Sequence, residues 1–271
     1  MTTLLFEGLS GAFRLRDAVV LATEGFRAEL ERDHVPSGVI TTVTPDRLRA
    51  KQDPASRLAA LAAEAVAARR GEPAADRDPW VEGVFVSSRR GNQSSVRAFA
   101  GALAAGRRSP STFSVSGYNI VAQSAARALG AQGPSVVLAG RRATLDGALF
   151  LAALRLSTQV VSVAHAGHVT WLPGPDGKGG EGLAVFGTVE RVEPTGYEQH
   201  VVRLVPAALY DAPTAADEDE PPTEDRPGVE SFDPERFVAE GAITASGPED
   251  FAAVHRVVPG ILHELVTGVG R

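Results

Sequence analysis

SPSTFSVSGYNIVAQSAARALGAQGPSVVLAGRRATLDGALFLAALRLSTQVVSVAHAGHV, residues Ser109 to Val169, reads as a helix, a Gly-Pro turn, a short apolar strand, a sharp elbow, a buried helix and another apolar strand. Tyr118 to Leu129 carries Ile120, Val121, Ala125 and Leu129 near helical spacing, and Gly133-Pro134 breaks the helix. Ser135 to Leu138 is a short β-branched run ending at Gly140, and Ala143 to Leu156 is a helix apolar on nearly all sides. A helix of that kind is buried rather than laid on a surface. An apolar strand, Gln159 to Ala164, follows.

A strand that turns sharply into a buried helix is where many enzymes place a nucleophile, because the helix start offers free N–H groups and partial positive charge. Here the turn reads Arg141-Arg142-Ala143-Thr144, with neither Cys nor Ser at its tip. A guanidinium stays protonated and accepts no acyl group.

Working outward, Asp53 is an N-cap with Pro54 in the first turn, and Leu58, Leu61, Ala62, Ala65 and Val66 stripe the helix that follows. Gly71 to Asp78 is a polar loop before a strand, Trp80 to Ser87, whose Val84, Phe85 and Val86 have the continuous apolar character of a parallel sheet. The loop Ser88 to Ser95 then opens a helix from Val96 to Leu103. Ahead of all this, residues 1–40 are weakly patterned, with one expected helix from Ala18 to Arg32.

Ser109-Pro110, Phe113, Ser116, Asn119, Gly133-Pro134-Ser135, Ala148 and Ala152 resemble the N-terminal half of β-ketoacyl synthases, the condensing enzymes of fatty-acid and polyketide assembly. Asp176-Gly177 and Gly180-Glu181-Gly182 before the strand Leu183 to Val189 extend the likeness, which is nearest to the short synthase-like proteins of aryl-polyene clusters and chain length factors. The resemblance implies an α/β, thiolase-like fold of which this chain has the N-terminal half only, a layered sheet with helices on both faces. It puts Arg142 at the degenerate position of the nucleophilic cysteine. It also implies a catalytically inactive subunit paired as a heterodimer with a complete β-ketoacyl synthase, meeting an acyl carrier protein with a phosphopantetheine-borne chain. Arg89, Arg90, Arg107 and Arg108 are placed to meet that phosphate or acidic carrier, or are solvated loop charges.

The family's second half carries two histidines and a lysine, and the about 80 residues after Val189 are too few for it. His255 and His263 lack the family's loop setting, so no catalytic histidine is carried over. The expected division is a synthase-like domain over 1–209, an acidic Pro-rich linker over 210–230, and a helical tail over 231–271 that docks on the body or on a partner.

Composition sets outer limits. Of 271 residues 44% are hydrophobic and 22% charged, as in ordinary globular chains. A net charge of −6 leaves no footprint for nucleic acid. Zero cysteines exclude disulfides and thiolate chemistry. With no basic leader and no apolar run of membrane-spanning length, a cytoplasmic protein with no membrane partner is expected. No cofactor and no metal site is expected either, since the phosphate-loop spacing is absent.

Three rival readings remain open. His165 and His168 form a weak candidate cluster, but three residues along a strand put their side chains on opposite faces. Ser87, Ser88 or Thr144 is a loop nucleophile for a hydrolase or acyltransferase, without the usual G-x-S-x-G elbow. Or the chain is a stand-alone acyl-binding or carrier-protein interaction module. Arg142 is read as a plug of the former site, bridged to Asp146, or as pointing toward a partner's tunnel or a phosphate.

Overall fold

The computed structural model describes residues 2–6, 9, 11–32, 35, 37–48, 53–71, 78–88, 90–107, 110–114, 116–139, 145–174, 179–192 and 201–204. The elements in chain order are β1 (Thr2–Phe6), β2 (Ala12–Ala22), α1 (Glu24–Arg32), β3 (Ile40–Thr42), α2 (Pro45–Leu48), α3 (Pro54–Arg70) and β4 (Glu82–Ser88). They continue with α4 (Gln93–Ala104), α5 (Pro110–Ser114), α6 (Ile120–Leu129), β5 (Ser135–Ala139), α7 (Leu145–Ser157), β6 (Val163–Pro173), β7 (Gly180–Val192) and β8 (Val201–Leu204). The linker 210–230, the tail 231–271 and the elbow holding Arg142 and Thr144 lie outside the described residues.

One mixed sheet organises the chain, in the order β5-β4-β6-β7-β2-β1-β8 with β3 on β2. β4 is parallel to β5 and β6, whereas β7 runs antiparallel to β6 and β2. Side chains alternate between the two faces. Phe85 joins α1 and α7 in one apolar cluster, and Val84 and Val86 join α3 and α6 in the other. The result is a layered sheet with helices on both faces.

Small residues set the second layer. Ala59, Ala62, Ala63, Ala122, Ala125 and Ala126 are buried on α3 and α6. Side-chain size at the contact governs how closely helices approach, so alanines let this pair sit tightly over the strands.

Two sequence expectations need correction. Ala18 to Ala22 is strand rather than helix: Val19 and Leu21 fall in one cluster, Val20 and Ala22 in the other, and all pair with β7. A bulge at Asp17, φ 54°, sets that alternation. The helix begins only at Glu24, where the Glu181 carboxylate accepts from the Gly25 N–H at 3.0 Å and from the Thr23 hydroxyl. Likewise the strand expected to end at Ala164 is β6, which runs on to Pro173. Both histidines therefore stand inside a buried strand rather than after it.

Candidate functional site

β5 and β4 end together, beside His168 of β6, and in open α/β sheets ligands sit outside the carboxyl ends of the strands. Ser87 and Ser88 close β4, Ala139 closes β5 beside Ser88, and His168 lies beside Ser87 on β6. Arg142, between Ala139 and Leu145 in the chain, lies outside the described residues.

Ser87 and His168 meet on the α7 side of the sheet, Oγ to Nδ1 at 2.9 Å, and the serine hydroxyl also donates to the Gly167 carbonyl at 3.3 Å. Ser87 is fully buried. Burial pushes the His168 pKa down to about 4, so the imidazole is neutral at physiological pH. A neutral imidazole beside a hydroxyl is the start of a nucleophile–base pair. Burial withholds Ser87 from any substrate.

That depressed value has a consequence for stability. Free histidine titrates near 6.5, so below it the unfolded chain takes up a proton that folded His168 resists. Stability should be at its full value above pH 6.5 and should fall by about 3 kcal/mol as pH drops to about 4. Urea titrations across that window check it, with His168→Gln losing most of the slope that this residue contributes.

His165 looks the other way. Its Nε2 is 3.3 Å from Glu82 Oε2 and its Nδ1 is 3.2 Å from the Thr188 hydroxyl. Arg70, the last residue of α3, spans both Glu82 oxygens at 3.2 and 3.4 Å. The histidines are thus parts of two separate networks on opposite faces. Among the described residues no group of three or more His, Cys, Asp or Glu is arranged to hold a metal.

The rim of the site is built by capping. Asp53 Oδ1 accepts from the Ala55 N–H at 2.9 Å, and its Oδ2 accepts from the Ser95 N–H at 3.0 Å. One carboxylate thereby serves the N-termini of both α3 and α4, where the helix dipoles favour negative charge. Burial pushes the Asp53 pKa up, and the hydrogen bonds from Ser95, Ala55 and Ser56 oppose it. The β4–α4 turn is held by Ser88 Oγ, which accepts from the Gly91 N–H at 2.9 Å, and by Asn92 Nδ2, which donates to the Gly117 carbonyl at 3.0 Å. Ser88 is thus a buried turn residue. Tyr118 packs its ring on Gly91, whose φ of +52° and bare Cα leave it that place.

Of the arginines read as phosphate-facing, Arg107 is exposed and Arg90 half-buried, while Arg89 and Arg108 lie outside the described residues. Asp146 is on the first turn of α7, 9% exposed, and its Oδ1 has no hydrogen-bond partner among the described residues. Thr170 Oγ1, on the same sheet face as His168, is in the same condition. Sequence reading missed Glu82 and the second capping role of Asp53. The signal for Glu82 was an acid at the head of an otherwise apolar strand, with Arg69-Arg70 closing the helix before it.

No family model matches the sequence, and no characterised protein emerges as a relative. Among solved structures the chain is similar to the ishigamide ketosynthase/chain length factor at 20% identity, covering 57% of this chain and 47% of that one with a TM-score of 0.43. It is also similar to a ketosynthase (ApeO) in complex with its chain length factor (ApeC) from Xenorhabdus doucetiae, at 18% identity over 67% of this chain and 80% of that one, TM-score 0.45. An oxazolomycin ketosynthase domain from Streptomyces albus matches at 21% identity over 51% of this chain and 28% of that one, TM-score 0.38. The chain thus spans under half the length of the ishigamide structure it matches. No helix among the described residues is long and apolar enough to cross a membrane.

Proposed function

We propose that this chain is a non-condensing, ketosynthase-like subunit. It pairs in the cytoplasm with a complete β-ketoacyl synthase during polyketide- or fatty-acid-type elongation, in the position of a chain length factor. The observation that carries this reading is strand β5 followed, five residues later, by the buried helix α7 in a chain with no cysteine. A strand leading into a buried helix suits a nucleophile, and with no cysteine in the chain no thioester acyl-enzyme forms.

An open edge supports the pairing. β5 is the last strand on its side of the sheet, half-buried or exposed along its length, and rich in β-branched residues. Among the described residues no strand pairs with its outer edge, and such an edge is a template for pairing with another chain. The synthase is the proposed occupant, and an acyl carrier protein delivers the growing chain to the pair. Arg142 plugs the former nucleophile site, and the unpartnered Asp146 oxygen supports its guanidinium as the missing partner.

Tagged chain co-expressed with a complete synthase should elute as a one-to-one heterodimer that elongates carrier-bound acyl groups. Synthase alone should not elongate them. A self-dimer that ignores every synthase sinks the proposal. Arg142→Ala should lower the melting temperature while leaving the heterodimer able to form; unchanged melting with lost elongation would instead place Arg142 in the partner's tunnel.

The Ser87–His168 contact is what favours the hydrolase or acyltransferase reading. A fluorophosphonate that labels the wild-type chain and not Ser87→Ala would establish it. The full burial of Ser87 is the reason to expect no labelling.

A further inference from the structure

α7 is apolar on both sides, and the described strands cover one of them. Leu145, Ala148, Leu149, Ala152 and Leu156 are buried, and the principal neighbours of the helix are β4, β6 and β7. Phe150, Leu151 and Leu154 fall within about 100° of one another on the opposite flank and are only half-buried. Phe150 and Leu151 pack on the margin of the core, so this flank is continuous with it. A helix that is apolar all round is a helix with a layer on each side.

We propose that the second layer is the chain's own C-terminal segment, Ile261 to Val269, docked in cis along Phe150, Leu151 and Leu154. Three observations choose this occupant. Its spacing is right: Ile261, Leu262, Leu265, Val266 and Val269 recur at helical intervals after Pro259-Gly260, giving one apolar stripe about 13 Å long. Its tether is right: the described chain ends at Leu204 on β8, four strand positions from β6, a lateral distance of about 20 Å. The about 50 residues from there to Val257 have a coil dimension of about 40 Å, so the segment reaches α7 without strain and at high effective concentration. Its charge is right as well: Glu264 flanks the tail stripe, and Arg155 is the exposed cation flanking the half-buried stripe of α7. The inference is independent of the synthase partner, because it concerns how a helix with two apolar faces is covered within one chain.

The absence of native cysteine makes the test direct. In the full chain, Leu151→Cys places the only thiol under the proposed contact, and maleimide labelling reads its exposure. Adding Leu262→Asp and Leu265→Asp should speed labelling about tenfold, as expected when a millimolar effective concentration of the tail is removed. Cooperative thermal unfolding in both backgrounds shows that the body is intact. Should Leu151→Cys not fold, Leu154→Cys reads the same flank. A second variant, Leu151→Cys with Leu265→Cys, should form an intramolecular disulfide with oxidised glutathione and remain monomeric on a non-reducing gel. Equal labelling rates with and without the aspartates overturn the proposal. Disulfide-linked dimers overturn it in favour of a second copy, and protection that arises only on adding a synthase overturns it in favour of that partner.

Discussion

Glu82→Ala should lower the stability of this chain by about 3–5 kcal/mol, the largest loss expected of any single polar substitution in the described structure. Glu82 is 2% exposed at the head of β4, and its two oxygens hold Arg70 and His165 together. Little of the loss is the attraction itself, since Arg70 is 27% exposed and its charge is screened by solvent. The larger part comes from His165, which is fully buried and cannot turn to water when its carboxylate partner is gone. That partition can be tested. Glu82→Leu combined with His165→Leu frees Arg70 to reach solvent, leaves no buried ring nitrogen unmatched, and should recover at least half of the loss. Urea midpoints at constant slope measure both. A loss below about 1 kcal/mol for Glu82→Ala would show that the network carries no weight in folding.

The same network marks the limit of what sequence can disclose. Periodicity is local, so the elements that bury one continuous run were legible: α3 from its Asp53-Pro54 start and alanine-leucine stripe, β4 from Val84-Phe85-Val86, α7 from its unbroken apolar character. β2 was not, because Val19, Val20 and Leu21 followed by Phe26 and Leu30 fit a helical count as well as a strand. What decides between them is β7, whose pairing residues lie about 165 positions away. Side-chain chemistry is less local still. His165 reaches Glu82 across 83 positions and Ser87 reaches His168 across 81, and no spacing rule connects them. Opposite faces for the two histidines followed from strand geometry alone; their partners required the fold. The reading of 1–209, 210–230 and 231–271 as three regions depends on residues beyond β8 and stays a proposal.

Gly133→Ala should cost about 3 kcal/mol, more than alanine at a glycine held in the left-handed region. Gly133 does not have a positive φ, so its need for glycine is one of space. A Cβ there would lie 2.5 Å from the Glu82 carbonyl oxygen and 2.7 Å from that of Trp80. Both are backbone atoms, so no rotamer change relieves the clash, and three hydrogen bonds pin the segment: Gln132 N–H to Pro79 O at 2.8 Å, Gly133 N–H to Glu82 O at 3.1 Å, and Val84 N–H to Pro134 O at 2.8 Å. Gly71 is the control, with φ +81° and nothing within 4 Å of its added Cβ. Alanine there meets only the dihedral penalty, about 1–2 kcal/mol. The difference should appear in thermal melts as a drop of about 6–12 °C for Gly133→Ala against half that or less for Gly71→Ala. Equal drops would mean that the α6–β5 connection yields, and that Gly133 is dispensable to it. If it does not yield, the displaced part is β5, since Pro134 feeds that strand into its register on β4. Because β5 is the proposed pairing edge, Gly133→Ala should then lose the synthase partner at temperatures where the folded body persists, whereas Gly71→Ala should keep it.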